Sequence, residues 1–160
     1  MTKHVYSKSA REAEIAFSLI LDGLRISKDR GRSIISYTET LIRDYENNPA
    51  DALKEIPLNL KTNGKYFASF IVGNHYASMV IDMDAQQIEA FLSGIAEILK
   101  ISENKESEII DYLTDDVMGK MTDARLSISA IIRNMSNSKF NDTEKDYMFF
   151  VYGTNFEHGK

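Results

Sequence analysis

Apolar residues in the first part of the chain recur every three to four positions, which is the spacing of one face of an α-helix. A capping-box spacing at Ser9-Ala-Arg-Glu12 marks the start of the first helix. Gly31 is expected to end it, Ser33 to cap a second helix, and Pro49 to open a short third helix. The pattern therefore predicts a helical N-terminal part over residues 9–56.

The pattern changes between residues 58 and 82. Asn63-Gly64 is a strong hairpin signal, because both central residues of a type I′ turn need positive φ, and Gly73-Asn74 marks a second turn. The segments beside these turns are rich in aromatic and β-branched residues, as strands are. The sequence thus predicts a three-stranded antiparallel meander over residues 58–82.

Helical spacing returns over residues 84–136, where Asp84 is placed to cap the first of three helices. A polar stretch follows, and residues 146–152 are predicted to form a fourth strand, although Thr143-Glu-Lys-Asp is also compatible with the start of a short helix. No internal repeat is evident. The expected fold is α+β: one domain over residues 1–160, in which a small antiparallel sheet packs with five to six helices.

Composition narrows the function classes. The 160 residues include no Cys, which excludes cysteine nucleophiles, disulfide frameworks and zinc sites built on thiolates. The first residues lack the apolar core of a secretory signal, and no apolar run approaches the length needed to cross a bilayer, so no membrane association and a cytoplasmic location are expected. Abundant Ile, Asn and Tyr beside 2 Pro match A/T-rich coding, as in many phages and plasmids.

The strongest catalytic candidate is the pair Asp82 and Asp84 at the end of an apolar segment, which superficially resembles the first motif of haloacid-dehalogenase-type phosphatases. That resemblance implies a metal-dependent phosphohydrolase with an aspartyl nucleophile and a Mg²⁺ ligand. Those enzymes build the site on a parallel sheet, whereas here a hairpin strand is expected. The pair is therefore interpreted as a strand end and a helix cap, and no catalytic residue, metal or cofactor is assigned.

Four cations, Arg25, Lys28, Arg30 and Arg32, lie close together around a predicted helix end. Such a cluster is a weak candidate for anion binding, because guanidinium and ammonium groups contact phosphate. No aromatic residues are interleaved with them, and the chain is acidic. Direct nucleic-acid binding is therefore not expected.

Negative charge is concentrated in one segment. The whole chain carries a formal charge of −5, but residues 82–123 hold 3 cations and 11 anions, which gives −8. Repulsion among these like charges costs stability, and a basic partner bound at this segment would offset that cost. The sequence therefore predicts a partner-binding face in this segment. Its predicted residues are Glu103, Glu106, Glu108, Asp111, Asp115 and Asp116.

These observations favour a non-enzymatic protein-binding modulator over an enzyme. We expect its partner to be a protein with a basic surface, and the modulator to inhibit a protease or a nucleic-acid enzyme. A DNA mimic, the metal-dependent phosphohydrolase using Asp82 and Asp84, and simple solvation of the acidic face are the alternatives. Homodimer formation is left open.

Overall fold

The computed structural model describes residues 17–46, 48–56, 60–117 and 128–155, and all regular elements within these ranges are helical. The first described helix, α1, covers residues 17–24. The helices that follow are α2 (Lys28–Asp44), α3 (Pro49–Lys54), α4 (Lys61–His75), α5 (Ala77–Val80), α6 (Ala85–Ile98), α7 (Glu103–Tyr112), α8 (Ile128–Ser136) and α9 (Asp142–Asn155). A single π-helical turn, Leu113–Val117, extends α7.

The predicted α+β fold is wrong, because the described part of the chain is all-helical and contains no sheet. The expected meander over residues 58–82 is occupied instead by α4 and α5. All eight residues from 66 to 73 are buried, so α4 is surrounded by protein around its whole circumference. A helix that is apolar on every side has no 3.6-residue stripe, and a short apolar run cannot then be distinguished from a buried strand.

Both supposed hairpin turns lie inside α4. Asn63 is in the first turn of this helix, and its side-chain amide donates a hydrogen bond to the carbonyl oxygen of Leu24 at 2.8 Å. That oxygen lies at the end of α1, where helix carbonyls lack partners of their own. Gly73 lies where α4 crosses another helix. These residues therefore serve contacts between helices rather than turns between strands.

The expected strand at residues 146–152 belongs to α9, so this prediction is also wrong. Asn141 caps the helix, because the Glu144 amide donates to its side chain at 2.8 Å while its own amide donates to the Glu144 carboxylate at 3.0 Å. All residues from Tyr147 to Thr154 are buried. The alternative helix start near Thr143 was the better interpretation of this segment.

Helix boundaries in the N-terminal part also differ from the prediction. α1 ends before Arg25, which adopts a left-handed backbone with φ 60°, and Ser27 caps α2 by accepting the Arg30 amide at 3.2 Å. Gly31 and Ser33, the expected terminator and cap, both lie inside α2. The Ser9–Glu12 capping box lies outside the described residues.

Two predicted helix starts are confirmed. Pro49 occupies the first turn of α3. Asp84 caps α6 in a reciprocal capping box with Gln87, whose amide donates to the Asp84 carboxylate at 2.8 Å. In each case the sequence signal is local, and no distant contact is needed to produce it.

The core is centred on the contact between α4 and α9, the most extensive helix contact within the described residues. Gly73 and Gly153 lie at this crossing: a Cβ atom on Gly73 would be 2.0 Å from the Phe150 carbonyl oxygen. A Cβ on Gly153 would be 2.4 Å from the Phe70 carbonyl oxygen. Only glycine permits such close backbones, so these two residues set the distance between the central helices.

No helix in the described ranges is both long and apolar enough to span a bilayer.

Candidate functional site

A groove of about 690 Å³ lies between α6 and α7. Its floor is apolar and includes the half-buried Ile88 and Ile110, with Leu92 beneath them. Carboxylates surround this floor, and we call the site the acidic groove. Its lining residues are Ala85, Ile88, Glu89, Leu92, Ser93, Glu103, Glu106, Ser107, Ile110 and Asp111.

The turn between α6 and α7 fixes the position of these two helices, which form the walls of the acidic groove. Lys100 has φ 64°, and the Ile101 amide donates to the Ala96 carbonyl at 2.9 Å, which closes α6 with a Schellman motif. Ser102 then caps α7 by accepting the Lys105 amide at 3.2 Å. Because the reversal takes only a few residues, α6 and α7 stay side by side and the groove remains open between them.

Glu106 anchors the floor of the acidic groove. Its carboxylate accepts a hydrogen bond from the Ser93 hydroxyl at 3.1 Å and lies 3.1 Å from the Tyr147 hydroxyl. Tyr147 is fully buried on α9, and burial, followed by the Glu106 charge, raises the pKa of its hydroxyl. The phenol therefore stays protonated as a donor, and the groove wall is tied to the central helix.

The remaining groove carboxylates have a different environment. Glu89, Glu103 and Asp111 are exposed at the rim. Among described residues, none of these three forms an ion pair with a lysine or arginine. Like charges that face a common groove without counter-ions repel each other, and a cation bound there would relieve that repulsion.

The six predicted partner-binding residues lie in three different places. Glu103, Glu106 and Asp111 line the acidic groove. Glu108 is turned away from it and is neutralised by Lys105 at 3.2 Å and Lys139 at 3.7 Å. The last two residues, Asp115 and Asp116, are exposed on the π-helical turn that follows α7.

Sequence reasoning missed three residues of this site. Glu89 and Ser93 lie on α6 four residues apart, so they share one side of the helix. Their spacing is a usable signal, although the predicted partner-binding residues all lie on α7 or on the turn that follows it. Tyr147 was assigned to a strand, and nothing in the sequence brings its hydroxyl to Glu106.

The four cations of the basic cluster have different environments. The guanidinium of Arg30 donates to the Leu60 carbonyl oxygen, and that of Arg32 forms an exposed pair with Asp29 at 2.6 Å. Arg25 and Lys28 are exposed at the end of α1 and the start of α2. The predicted anion site thus has two of its four cations already engaged.

The candidate catalytic pair is also separated by role. Asp82 is exposed in the turn after α5, while Asp84 is committed to the α6 cap. Over the described residues, no three His, Asp or Glu side chains form a group that could hold a metal ion. The strand that motivated the phosphatase interpretation is a helix.

Another ionisable residue lies outside the groove, between α4 and α9. Asp146 has one carboxylate oxygen 3.7 Å from the Lys65 ammonium, while the other is buried with no hydrogen-bond partner. Burial raises its pKa to about 7; Lys65 opposes the shift, and nearby Asp142 adds to it. This carboxyl group has its pKa near neutral pH, away from the acidic groove.

Comparison of the chain with protein-family models, with curated protein sequences and with solved structures gives no match. Its function is therefore argued from the acidic groove itself.

Proposed function

We propose that this protein is a non-enzymatic binding module whose acidic groove receives a basic amphipathic helix of a partner protein. The observation that carries the proposal is the combination of an apolar floor with rim carboxylates that have no ion-pair partner among the described residues. Helix-in-groove recognition uses these two elements: apolar side chains three and four residues apart enter the groove, and charged residues beside them fix the orientation.

The two parts of the groove have different energetic roles. Burial of apolar side chains against Ile88, Leu92 and Ile110 supplies affinity, at about 25 cal/mol for each Å² removed from water. Glu103 and Asp111 steer a basic partner towards the groove and disfavour acidic ones. We propose that occupation of this groove modulates the partner, with inhibition of a protease or a nucleic-acid enzyme as the expected outcome.

Binding to a designed peptide tests this proposal. The probe is a helical peptide of leucine and lysine, with leucines at alternating spacings of three and four residues. The same peptide with glutamate in place of lysine is the negative control. Titration calorimetry should detect the lysine peptide only, with affinity falling between low salt and about 0.5 M salt, where the Debye length drops below about 5 Å.

A matched pair of variants locates the binding site. Glu103→Lys with Asp111→Lys reverses two rim charges and should weaken lysine-peptide binding more than tenfold. Asp115→Lys with Asp116→Lys makes the same change in net charge on residues that do not line the groove and should weaken lysine-peptide binding much less. Equal losses in both variants would show attraction to overall negative charge and would refute a groove site.

A further inference from the structure

The connection that shapes the acidic groove occurs twice in the chain. Leu24-Arg25-Ile26-Ser27 joins α1 to α2, and Leu99-Lys100-Ile101-Ser102 joins α6 to α7. The left-handed residues have φ 60° and 64°, and the following Ile amide closes a Schellman bond of 2.9 Å in each. The capping serines have φ/ψ of −68°/158° and −67°/158°. Sequence and backbone therefore agree at both places.

The agreement continues into the helices that follow each connection. When the two segments are aligned on Ser27 and Ser102, the buried Ile34 corresponds to the buried Ile109. The half-buried Ile35 then corresponds to the half-buried Ile110. Before the connection, buried Ile20 corresponds to buried Ile95. The same faces are thus turned to the core in α1–α2 and in α6–α7.

The last helix of each half matches as well. Phe70-x-x-Gly73 in α4 corresponds to Phe150-x-x-Gly153 in α9. Each glycine faces the backbone oxygen of the other helix's phenylalanine, so the contact is reciprocal. Reciprocity of this kind is the property of an interface with twofold symmetry.

The two halves also interlock. α1 packs on α8, where a Cβ on Gly23 would be 2.6 Å from the Ser129 carbonyl oxygen. In the corresponding way, α6 contacts α3. The first helix of each half therefore packs on the third helix of the other, as expected if α1–α4 and α6–α9 are copies of one unit joined by α5.

This correspondence places positive charge on α2 at two positions that match groove positions on α7. Lys28 stands where Glu103 stands, and Arg32 stands where Ser107 does. Glu106 is replaced by Gly31 and Asp111 by Ser36. The buried residues compared above agree between the two halves, whereas the charged residues differ.

The exposed edge of α2 has the chemistry that the acidic groove requires. Lys28 and Arg32 are exposed, and the half-buried Ile35 follows them at spacings of four and three residues, so the three form one stripe at the edge of the face that packs on the core. Within the described residues Arg32 pairs with the exposed Asp29, and an exposed pair of this kind contributes little, so it can exchange partners.

We propose that the basic face of α2 in one copy of this chain docks in the acidic groove of a second copy. The inference rests on the proposed function, since it gives the acidic groove a basic-helix occupant in addition to the partner protein. Charge complementarity selects this occupant: each copy carries both the stripe of Lys28, Arg32 and Ile35 and a groove with an apolar floor, whose rim carboxylates have no ion-pair partner among the described residues. The contact joins different surfaces of the two copies and is heterologous.

Light scattering on the full chain tests the contact. The mass of the wild type should rise with concentration at low salt and fall to that of the monomer at about 0.5 M salt. Lys28→Glu with Arg32→Glu should remain monomeric, and so should Glu103→Lys with Asp111→Lys. An equimolar mixture of these two variants should associate, because each then supplies the surface the other needs. Arg43→Glu with Lys54→Glu, on exposed residues elsewhere, controls for net charge.

Two results would overturn the inference: a wild type that stays monomeric at all concentrations in low salt, or reversed variants that fail to associate when mixed. The Lys28→Glu, Arg32→Glu variant separates this failure from that of the proposed function. Its acidic groove is intact, so it should still bind the lysine peptide. Peptide binding without self-association would refute self-docking and leave the groove as a site for another protein. Loss of both would refute the groove as a binding site.

Discussion

Replacement of Gly73 by alanine is the sharpest test of how the central helices pack. The added Cβ would be 2.0 Å from the Phe150 carbonyl oxygen, whereas a carbon and an oxygen in contact are about 3.3 Å apart or more. The clash is with backbone, so no side chain can rotate to relieve it. α4 and α9 would have to separate by more than about 1 Å along their whole contact, in an interior packed as densely as a crystal.

The expected cost follows from these distances. Overpacking costs about 1–3 kcal/mol when side chains can adjust, and a backbone clash belongs at or above the upper end of that range. Alanine favours helix over glycine by about 1 kcal/mol, which offsets part of the loss. The free energy of unfolding should therefore fall by about 2 kcal/mol or more, and the melting temperature by roughly 4–8 °C for a chain of this size.

Gly94→Ala is the matched control. Gly94 is in the interior of α6, and a Cβ there would meet no atom within 4 Å. The same substitution should thus stabilise the protein by about 0.5–1 kcal/mol. Urea unfolding followed by circular dichroism measures both variants. The reasoning fails if Gly73→Ala is as stable as the wild type, or if Gly94→Ala is destabilised to the same extent.

Three further predictions concern single side chains. For Asp146 the pKa is raised to about 7 in the folded state from 3.8, so the folded state binds the extra proton between those values and stability falls as pH rises from about 4 to about 7. The difference in unfolding free energy between the wild type and Asp146→Asn should shift by a few kcal/mol over that range in urea titrations, and a constant difference would contradict this account. Tyr147→Phe removes the donor to Glu106 and should cost about 1–3 kcal/mol, whereas the same change at the exposed Tyr37 should be silent in thermal melts. Ser102→Ala removes the α7 cap and should cost about 1 kcal/mol of unfolding free energy; an equal loss for Ala at the exposed, mid-helix Ser33 would argue against a capping effect.

Local signals in the sequence predicted only part of the fold. The starts of α3 and α6 were predictable because Pro49 and Asp84 act within one helical turn. The two central helices were not, since their residues are buried on all sides and their apolar runs carry no helical period. Gly73, which suggested a turn, is explained by the crossing of α4 with α9, two helices that are distant in sequence.

The acidic groove, like the fold, could be predicted from the sequence only in part. The concentration of acidic residues on α7 was visible as charge, and Glu103, Glu106 and Asp111 do line one groove. The sequence does not show which of these carboxylates form ion pairs, because Glu108 pairs with Lys139, a residue that follows α8. The agreement between the two halves is hard to see in the sequence, because identical residues are concentrated in four-residue segments that backbone geometry is needed to align.

The interlocking of the two halves has a consequence for biosynthesis. α4 leaves the ribosome well before α9, and until α9 follows, the apolar surface of α4 lacks its main packing partner. Contacts between such distant segments fold slowly, and exposed apolar intermediates aggregate. The first half therefore cannot complete its core while the second is being made, so we expect α4 to be the main apolar surface that the nascent chain exposes.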